Sequence, residues 1–303
     1  MKQIDKPVIK AIWHACDLYD YVQNHNLEIV TIHDHVVNLS AASWKNMLII
    51  GDSVPAKGPA SIGLSERDFI SVKKILADGA KGKFSKRHII FKNNGESLSI
   101  SWREGTPLSF APERLRYINC EIVLKAVNAY MKMLAEEEIP CEAAVLAGQG
   151  DADNLFRKKM RECLPPLVDS LARGDEKIFL SNCRNLVGMG RGLTPDGDDL
   201  IHGALVAFHY FNYERDFIER IEKEFLQIAL STNLMGHHML LMALGGFTPQ
   251  PVRNFILSIS RGKPEQKIMK AVTSIGFSTG YNIVLAILLF IKKYLDKENK
   301  EMA

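Results

Sequence analysis

Residues 188–199 read GMGRGLTPDGDD and contain the residue types best suited to binding a small polar molecule. Four glycines and three aspartates stand here, directly before the apolar run Leu200–Phe211. Glycine allows close approach to the backbone, and the free N–H groups of a helix N-terminus attract anions. Thr194 as N-cap with Pro195 as the first helical residue is a complete capping arrangement by itself. Capping leaves the glycines unexplained, so the segment predicts a ligand site, with pure capping as the alternative.

The same segment matches no common phosphate-binding loop. The lysine of a Walker loop is missing, and Leu193 stands where a dinucleotide loop has its third glycine. Three aspartates repel an anion unless some of them point away or hold a divalent cation. A Mg²⁺ ion that bridges a carboxylate to a phosphate is chemically sensible here. No cofactor is predicted with certainty, and Mg²⁺ is kept as the candidate ion.

Two later segments have the character of polar helix starts. Ser231, Thr232 and Asn233 precede the run LMGHHMLLMAL, and residues 276–280 (GFSTG) precede the apolar run Ile283–Ile291. Each start offers free N–H groups and hydroxyls at an N-terminus. Three such starts in one helical region predict that they converge on a shared pocket. That pocket would suit a small ligand with carboxylate, carbamoyl or phosphate oxygens.

His237 and His238 follow one turn into the second of these helices. Adjacent residues of a helix point in different directions, so at most one of the two rings faces the pocket. His237 is taken as the candidate ligand contact. The alternative is one histidine in the core and one on the surface.

The elements that must position these residues fall into two halves. The asparagine–glycine pair 94–95 between two alternating runs signals a hairpin. Strands are expected at residues 28–32, 35–39, 46–50, 88–91 and 97–102, with a short helix at 12–24 and a solvated loop at 81–87. Helical spacing predicts helices at about 113–134, 151–173, 175–183, 198–212, 214–230, 233–245, 249–261, 264–274 and 279–294. The predicted fold class is α+β: a β-rich, barrel-like domain of residues 1–107, then a larger all-α domain of residues 108–303 that carries the glycine-rich site.

Composition excludes several functional classes. A formal net charge of +3 is too small for a nucleic-acid footprint. The longest apolar run, Ile283–Ile291, falls short of the roughly 20 residues that span a bilayer, so no membrane segment is predicted. The N-terminus lacks the pattern of a secretory signal. Five widely spaced cysteines form no C-x-x-C pair. We therefore expect a cytoplasmic protein with reduced, buried thiols.

The three helix starts also resemble a known family, AllH, a subunit of bacterial oxamate carbamoyltransferase that was long a domain of unknown function. Its G-x-G-x-G-L-T-P-x-G-D-D segment is similar to residues 188–199, and its G-x-S-[ST]-G segment is similar to residues 276–280. Residues 36–39 and 58–64 resemble its β-rich N-terminal part. The resemblance covers about residues 28–291.

The resemblance implies a transferase role in purine and allantoin catabolism, where oxalurate and phosphate interconvert with oxamate and carbamoyl phosphate. Carbamoyl transfer needs positioning, charge neutralisation and donors to a developing oxyanion. Arg191, Asp198 and Asp199 are the implied catalytic residues, and the two aspartates are also the candidate Mg²⁺ ligands. Backbone N–H groups at 190–192 and 278–280 are the implied oxyanion donors. The implied substrate-binding residues are Gly190, Gly192, Thr194, Asp196, Gly197, Ser231, Thr232, Asn233, His237, Ser278, Thr279 and Gly280.

The leading hypothesis is therefore a subunit of a carbamoyl- or acyl-transferase that acts on a small anionic substrate together with partner subunits. The second hypothesis is a non-catalytic ligand-binding or scaffold subunit of such an assembly. The third is a stand-alone small-molecule enzyme of another class. Neither nucleic acid nor a membrane is an expected partner.

Overall fold

The computed structural model describes residues 8–16, 18, 26–41, 47–52, 57–77, 79–85, 87–93, 96–115, 117–140, 142–149 and 154–302. Contacts divide the chain into two compact units, residues 1–110 and 111–303. The first is strand-rich and the second is helical, which confirms the predicted fold class. The exact domain boundary and the placement of the function in the second domain stay predictions.

The N-terminal unit is one mixed sheet curved into a half-barrel. Within the described residues the sheet has ten strands, in the order β1-β9-β8-β7-β3-β4-β5-β6-β2-β10. They are β1 Val8–Lys10, β2 Trp13–Ala15, β3 Asn26–Ile32, β4 Val36–Ala41, β5 Met47–Gly51, β6 Ser61–Gly63, β7 Lys81–Ser85, β8 His88–Asn93, β9 Glu96–Ser101 and β10 Thr106–Leu108. Three pairs, β1 with β9, β2 with β10 and β5 with β6, are parallel, and the others are antiparallel. One helix, α1 (Glu66–Ala77), follows β6 and buries Phe69, Val72, Ile75 and Leu76.

All five predicted strands are present, as β3, β4, β5, β8 and β9. The hairpin is confirmed by the pairing of Asn93 with Glu96, and its two connecting residues lie outside the described range. The helix predicted at 12–24 is wrong at its start, because Trp13 and Ala15 alternate inward and form β2; residues 17 and 19–25 lie outside the described range. The solvated loop predicted at 81–87 is also wrong, because residues 81–85 form β7, which pairs with β3 and β8.

The regular elements described in the C-terminal unit are all helices. Its helices are α2 Cys120–Ala135, α3 Leu155–Arg173, α4 Glu176–Leu186, α5 Asp196–Phe211, α6 Arg215–Ala229, α7 Leu234–Leu244, α8 Gln250–Ser260, α9 Gln266–Thr273 and α10 Thr279–Met302, with a 3₁₀ helix at Glu142–Ala147. Each matches a helix expected from the apolar spacing. Two ends differ. The first begins at Cys120 because the Asn119 side chain caps it, and the last continues beyond the expected end at residue 294 to Met302.

Helices α5 and α10 form the centre of this unit, and every residue of α5 is buried. They run side by side in the same direction, since Asp196 contacts Asn282 and a Cβ on Gly203 would lie 2.9 Å from the Cβ of Ala286. Residues 283–288 are buried, as predicted for this apolar run. The parallel packing brings the two helix N-termini to the same end of the unit.

In the described part of the chain, no helix combines the length and apolar character needed to cross a bilayer. Four cysteines are described and none is in a disulfide. Cys163 and Cys183 are buried as expected, whereas Cys16 is exposed and Cys120 is partly exposed. Cys141 lies outside the described residues.

Candidate functional site

The glycine-rich loop owes its shape to backbone conformations that favour glycine. Gly188, Gly190 and Gly192 have φ values of 73°, 127° and 114°, which L side chains rarely adopt. The loop then closes on itself, because the N–H of Gly197 donates to the carbonyl of Met189 at 2.8 Å. The glycines are therefore needed to form the loop, which is what capping alone left unexplained.

The start of α5 differs from the predicted cap. The helix begins at Asp196 with Pro195 in the N-cap position, and no side chain caps it. The hydroxyl of Thr194 instead lies 2.6 Å from the hydroxyl of Thr279 at the start of α10. The predicted N-cap role of Thr194 is therefore wrong, because its hydroxyl bonds to a second helix.

The three predicted helix starts do meet, at a cluster that we call the three-helix junction: residues 188–199, Thr232–Gly236 and Ser278–Asn282. The Asp198 carboxylate accepts from the N–H of Gly188 at 2.8 Å and from the hydroxyl of Thr232 at 2.5 Å. It therefore ties the loop to the start of α7. Close approach is essential here, because a Cβ on Gly236 would lie 2.0 Å from the Asp198 carboxylate.

Asp196 makes the corresponding link to α10. One of its carboxylate oxygens accepts from the hydroxyl of Ser278 and from the side-chain amide of Asn282, both at 2.8 Å. Asn282 was not among the predicted site residues. Its signal was a lone amide in the first turn of an otherwise apolar helix. Gly188 and Gly236 were also missed as contributors. A Cβ on Gly236 would collide with the Asp198 carboxylate, and Gly188 donates its N–H to that carboxylate from a φ of 73°.

The remaining predicted residues have local roles. Asn233 caps α7, accepting from the N–H of Gly236 at 2.9 Å. Ser231 is exposed and precedes the junction. The N–H of Gly280 donates to the carbonyl of Ile275 at 3.0 Å, so the predicted oxyanion donor at this position is already occupied. The N–H groups of Gly197 and Asp198 are likewise occupied, by Met189 and Pro195.

The alternative for the histidine pair, one ring in the core and one on the surface, is wrong, because both rings are buried. His237 is 8% exposed and His238 is 3% exposed, since α7 packs against both α5 and α6. The Nδ1 of His237 lies 2.7 Å from the carbonyl of Ala229. That contact points to the end of α6, and none of the described contacts joins His237 to the aspartates. Its predicted ligand role stays a prediction.

Two other buried imidazoles, His202 and His209, contact α7. His202 sits between the carbonyl of Met239 and the hydroxyl of Thr248, each at 3.1 Å. Burial lowers the pKa of His202 and of His209 to about 4. Burial, with the neighbouring His237 and His202, lowers the pKa of His238 to about 4 as well. These rings are neutral near pH 7 and have a structural role in the core.

Asp199 is the exception among the acidic residues of the junction. Its side chain is 0% exposed, and within the described residues neither carboxylate oxygen has a hydrogen-bond partner. Burial raises the pKa of Asp199 well above its usual value, the negative charge of Asp196 raises it further, and the nearby side chains of Thr279 and Asn282 partly oppose this. Burial also raises the pKa of Asp198, which Thr232 and Gly188 counteract by hydrogen bonding. Asp199 is therefore a fully buried acid for which burial and the neighbouring carboxylates outweigh the opposing effect of Thr279 and Asn282.

Hydrogen bonds occupy both oxygens of Asp198, one of the two predicted magnesium ligands. The oxygens of Asp198 and one oxygen of Asp196 face N–H and O–H donors, which a cation would have to displace. Among the described residues, no group of three histidine, cysteine, aspartate or glutamate side chains is placed to hold an ion. The bonds described for the junction are therefore hydrogen bonds, and the magnesium site stays a prediction.

The loop itself carries the unused donors. In the described structure, no protein acceptor faces the backbone N–H groups of residues 190–194. Arg191 is exposed and has no ion pair among the described side chains. Unused N–H groups next to a guanidinium form a surface that favours an anion. The loop is therefore the part of the junction that is suited to bind a carboxylate or phosphate.

A shallow cavity of about 340 Å³ lies beside the junction rather than in it. It is lined by Arg184, Val187, Glu224, Gln227, Ile228 and Ser231. Arg184 and Glu224 form an ion pair across it, so its charges are already matched. None of the aspartates of the junction lines this cavity, and the exposed loop is the stronger candidate.

Comparison with known proteins supports the same region. Residues 186–291 match the family model described as oxamate carbamoyltransferase subunit AllH. This match contains the glycine-rich loop and all three helix starts, and it confirms the predicted resemblance over this range. The part of the resemblance before residue 186 lies outside the match. No curated protein and no solved structure matches the chain.

Proposed function

We propose that the chain is a subunit of a carbamoyl- or acyl-transferase and that its glycine-rich loop binds the anionic end of a small substrate such as oxamate or carbamoyl phosphate. The observation that carries the proposal is the set of unused N–H groups at residues 190–194 beside Arg191. The family match, which names a subunit of such an enzyme, covers this loop. Partner subunits, a cytoplasmic location and a place in purine-derived nitrogen metabolism are parts of the same proposal.

The loop supplies positioning and charge neutralisation, which are what carbamoyl transfer mainly requires. Donors fixed by the glycine conformations lose little freedom when the anion arrives, so the loop is preorganised. Asp196 and Asp198 hold the loop against α10 and α7 through hydrogen bonds and do not face the ligand themselves. Their proposed role is thus to position the loop.

One observation favours the alternative of a ligand-binding subunit without its own chemistry. The oxygens of Asp198 are both committed to donors, and Asp199 is fully buried. Neither is free to orient a nucleophilic nitrogen in this arrangement. A partner subunit would then supply the remaining catalytic groups.

An assay of the purified chain separates the two functions. Oxamate-dependent phosphate release from carbamoyl phosphate by the chain alone would support the transferase subunit with its own activity. Release only after partner subunits are added, together with calorimetric binding of oxamate to the chain alone, would support the binding subunit. If the folded chain binds neither oxamate nor carbamoyl phosphate and adds nothing to a reconstituted assembly, the proposal is wrong.

Arg191→Ala is expected to weaken oxamate binding by about 10- to 100-fold, since a charge-assisted hydrogen bond to a carboxylate contributes roughly 1.5–3 kcal/mol. Stability should not change, because Arg191 is exposed. The matched control is Arg161→Ala, which removes an exposed arginine from α3. Calorimetric titration measures both variants. Equal affinities of the two variants would remove Arg191 from the site.

A further inference from the structure

We propose that Leu193 and Phe277 form an apolar rim beside the glycine-rich loop, and that this rim selects small anions that carry an apolar group next to their carboxylate or phosphate. The inference rests on the proposed function and narrows the substrate class of the same site. Oxamate fills only the N–H donors of residues 190–194 and leaves the rim in water. An anion with an apolar substituent uses both the donors and the rim.

The first argument is the place of the two side chains at the three-helix junction. Leu193 lies in the loop directly before Thr194, and Phe277 lies two residues before Thr279. The hydroxyls of Thr194 and Thr279 are 2.6 Å apart. Because consecutive Cα atoms are only about 3.8 Å apart, this contact brings Leu193 and Phe277 to the same edge of the junction.

The second argument is the exposure of both side chains. Leu193 is 44% exposed and Phe277 is 78% exposed. Their chain neighbours Met189 and Ile275 pack against the core of the helical unit, whereas Leu193 and Phe277 are not among the described residues that do so. The fold therefore leaves this apolar surface in water, and a ligand that covers it gains the free energy of burying it.

The third argument is the position of the rim beside unused donors. Single exposed apolar residues are common on protein surfaces, but these two adjoin the free N–H groups of residues 190–194 and the unpaired Arg191. Small-molecule sites combine a few polar groups that orient the ligand with apolar and aromatic side chains that bury the rest of it. The loop supplies the polar part, and the rim supplies the apolar part.

Leu230 marks the limit of the rim. It is the third exposed large apolar side chain among residues 186–291, all of which the structure describes. The carbonyl oxygen of the next residue, Ser231, would lie 3.2 Å from a Cβ on Gly188. Leu230 thus adjoins the first residue of the loop, whose N–H already donates to Asp198. Only Leu193 and Phe277 adjoin the donors that are free.

The test is a calorimetric titration of the folded chain with oxamate and with N-phenyloxamate, which keeps the oxamate end and adds a phenyl ring. We expect N-phenyloxamate to bind about tenfold more tightly, the gain for burying roughly 50–60 Å² of apolar surface. Phe277→Ala should lose most of this gain and bind oxamate as the natural protein does, whereas Phe277→Leu should keep most of it. Arg191→Ala should weaken both ligands by the same factor, because it acts on their shared anionic end.

Two matched controls remove exposed apolar side chains elsewhere in the helical unit. Tyr117→Ala, which removes an aromatic ring that is 97% exposed, is the control for Phe277→Ala. Leu155→Ala, at the start of α3, is the control for Leu193→Ala, which should lose part of the gain. Both controls should leave both affinities unchanged. Urea unfolding should give equal stability for all four variants, since each removed side chain is exposed.

The outcomes separate the rim from the anion site. If oxamate binds and N-phenyloxamate binds no more tightly, or if Phe277→Ala keeps the whole gain, the rim is overturned while the proposed anion site stands. If the folded chain binds neither ligand, the proposed function fails and the rim fails with it. If Phe277→Ala changes the sedimentation coefficient of the chain but neither affinity, Phe277 contacts a second copy of the chain, and its role as a ligand contact is overturned.

Discussion

Acidification from about pH 7 to about pH 5 is expected to destabilise the helical unit by roughly 6 kcal/mol through three buried histidines. Burial lowers the pKa of His202, His209 and His238 to about 4, from 6.5 in the unfolded chain. A group whose pKa is lowered on folding contributes stability that is present above its unfolded pKa and is lost as pH falls towards its folded pKa. At about pH 5 each ring therefore costs roughly 2 kcal/mol.

Asp199 partly opposes this loss. Its raised pKa means that the folded protein gains stability relative to the unfolded chain as pH falls through that value. Three histidines destabilise the folded protein on acidification and one aspartate stabilises it, so the net effect stays destabilising. Because typical domains have only about 5–15 kcal/mol of stability, the helical circular dichroism signal should be lost in mild urea near the lower pH.

His238→Phe tests the assignment. The Nδ1 of His238 has no hydrogen-bond partner in the described structure, so an aromatic ring without titratable nitrogens removes no bond at that atom. The variant should reduce the pH dependence of the unfolding free energy between about pH 7 and about pH 5 by about a third. The control is His33→Asn, which changes an exposed histidine in the other unit. An unchanged pH dependence in His238→Phe would show that this ring is not one of the groups responsible.

The helical half of the fold was accessible from the sequence because its signals are local. Apolar residues at helical spacing predicted each helix of the C-terminal unit. The short strands β1, β2, β6 and β10 have at most three residues each. Their pairing partners lie far along the chain, as Trp13 with Gly63 does. No local pattern encodes such a partner, so these strands were missed.

The sequence predicted which residues form the candidate site, but not which hydrogen bonds they make. The polar residues at the three helix starts indicated a junction, and the junction forms. What the sequence could not supply is which oxygen meets which donor. Thr194 was expected to cap its own helix and instead bonds to Thr279, and Asp198 pairs with Thr232, 34 residues away. Such choices depend on tertiary packing, which decides which donor is nearest.

Gly280→Ala is expected to destabilise the helical unit by about 3 kcal/mol, the upper part of the range for overpacking. A Cβ at this position would lie 1.9 Å from the carbonyl oxygen of Val272 and 2.8 Å from the Cα of Thr273. Both are backbone atoms, so relief requires α10 to move away from the end of α9. In an open helix the same change would stabilise the protein by about 1 kcal/mol. The sign of the effect therefore reports the close approach directly.

Gly148→Ala is the matched control within the same unit. Gly148 has a φ of 80° and nothing within 4 Å of an added Cβ, so its substitution costs only the backbone strain of about 1 kcal/mol. Urea unfolding measures both variants.

Movement of α10 would also separate Thr279 from Thr194 and Asn282 from Asp196, which are the bonds that hold the glycine-rich loop. Without urea, Gly280→Ala should still be folded but should lose oxamate binding, whereas Gly148→Ala should retain it. Equal stability of the two variants would mean that α9 and α10 do not approach each other in this way, and the loop would then need another explanation for its position.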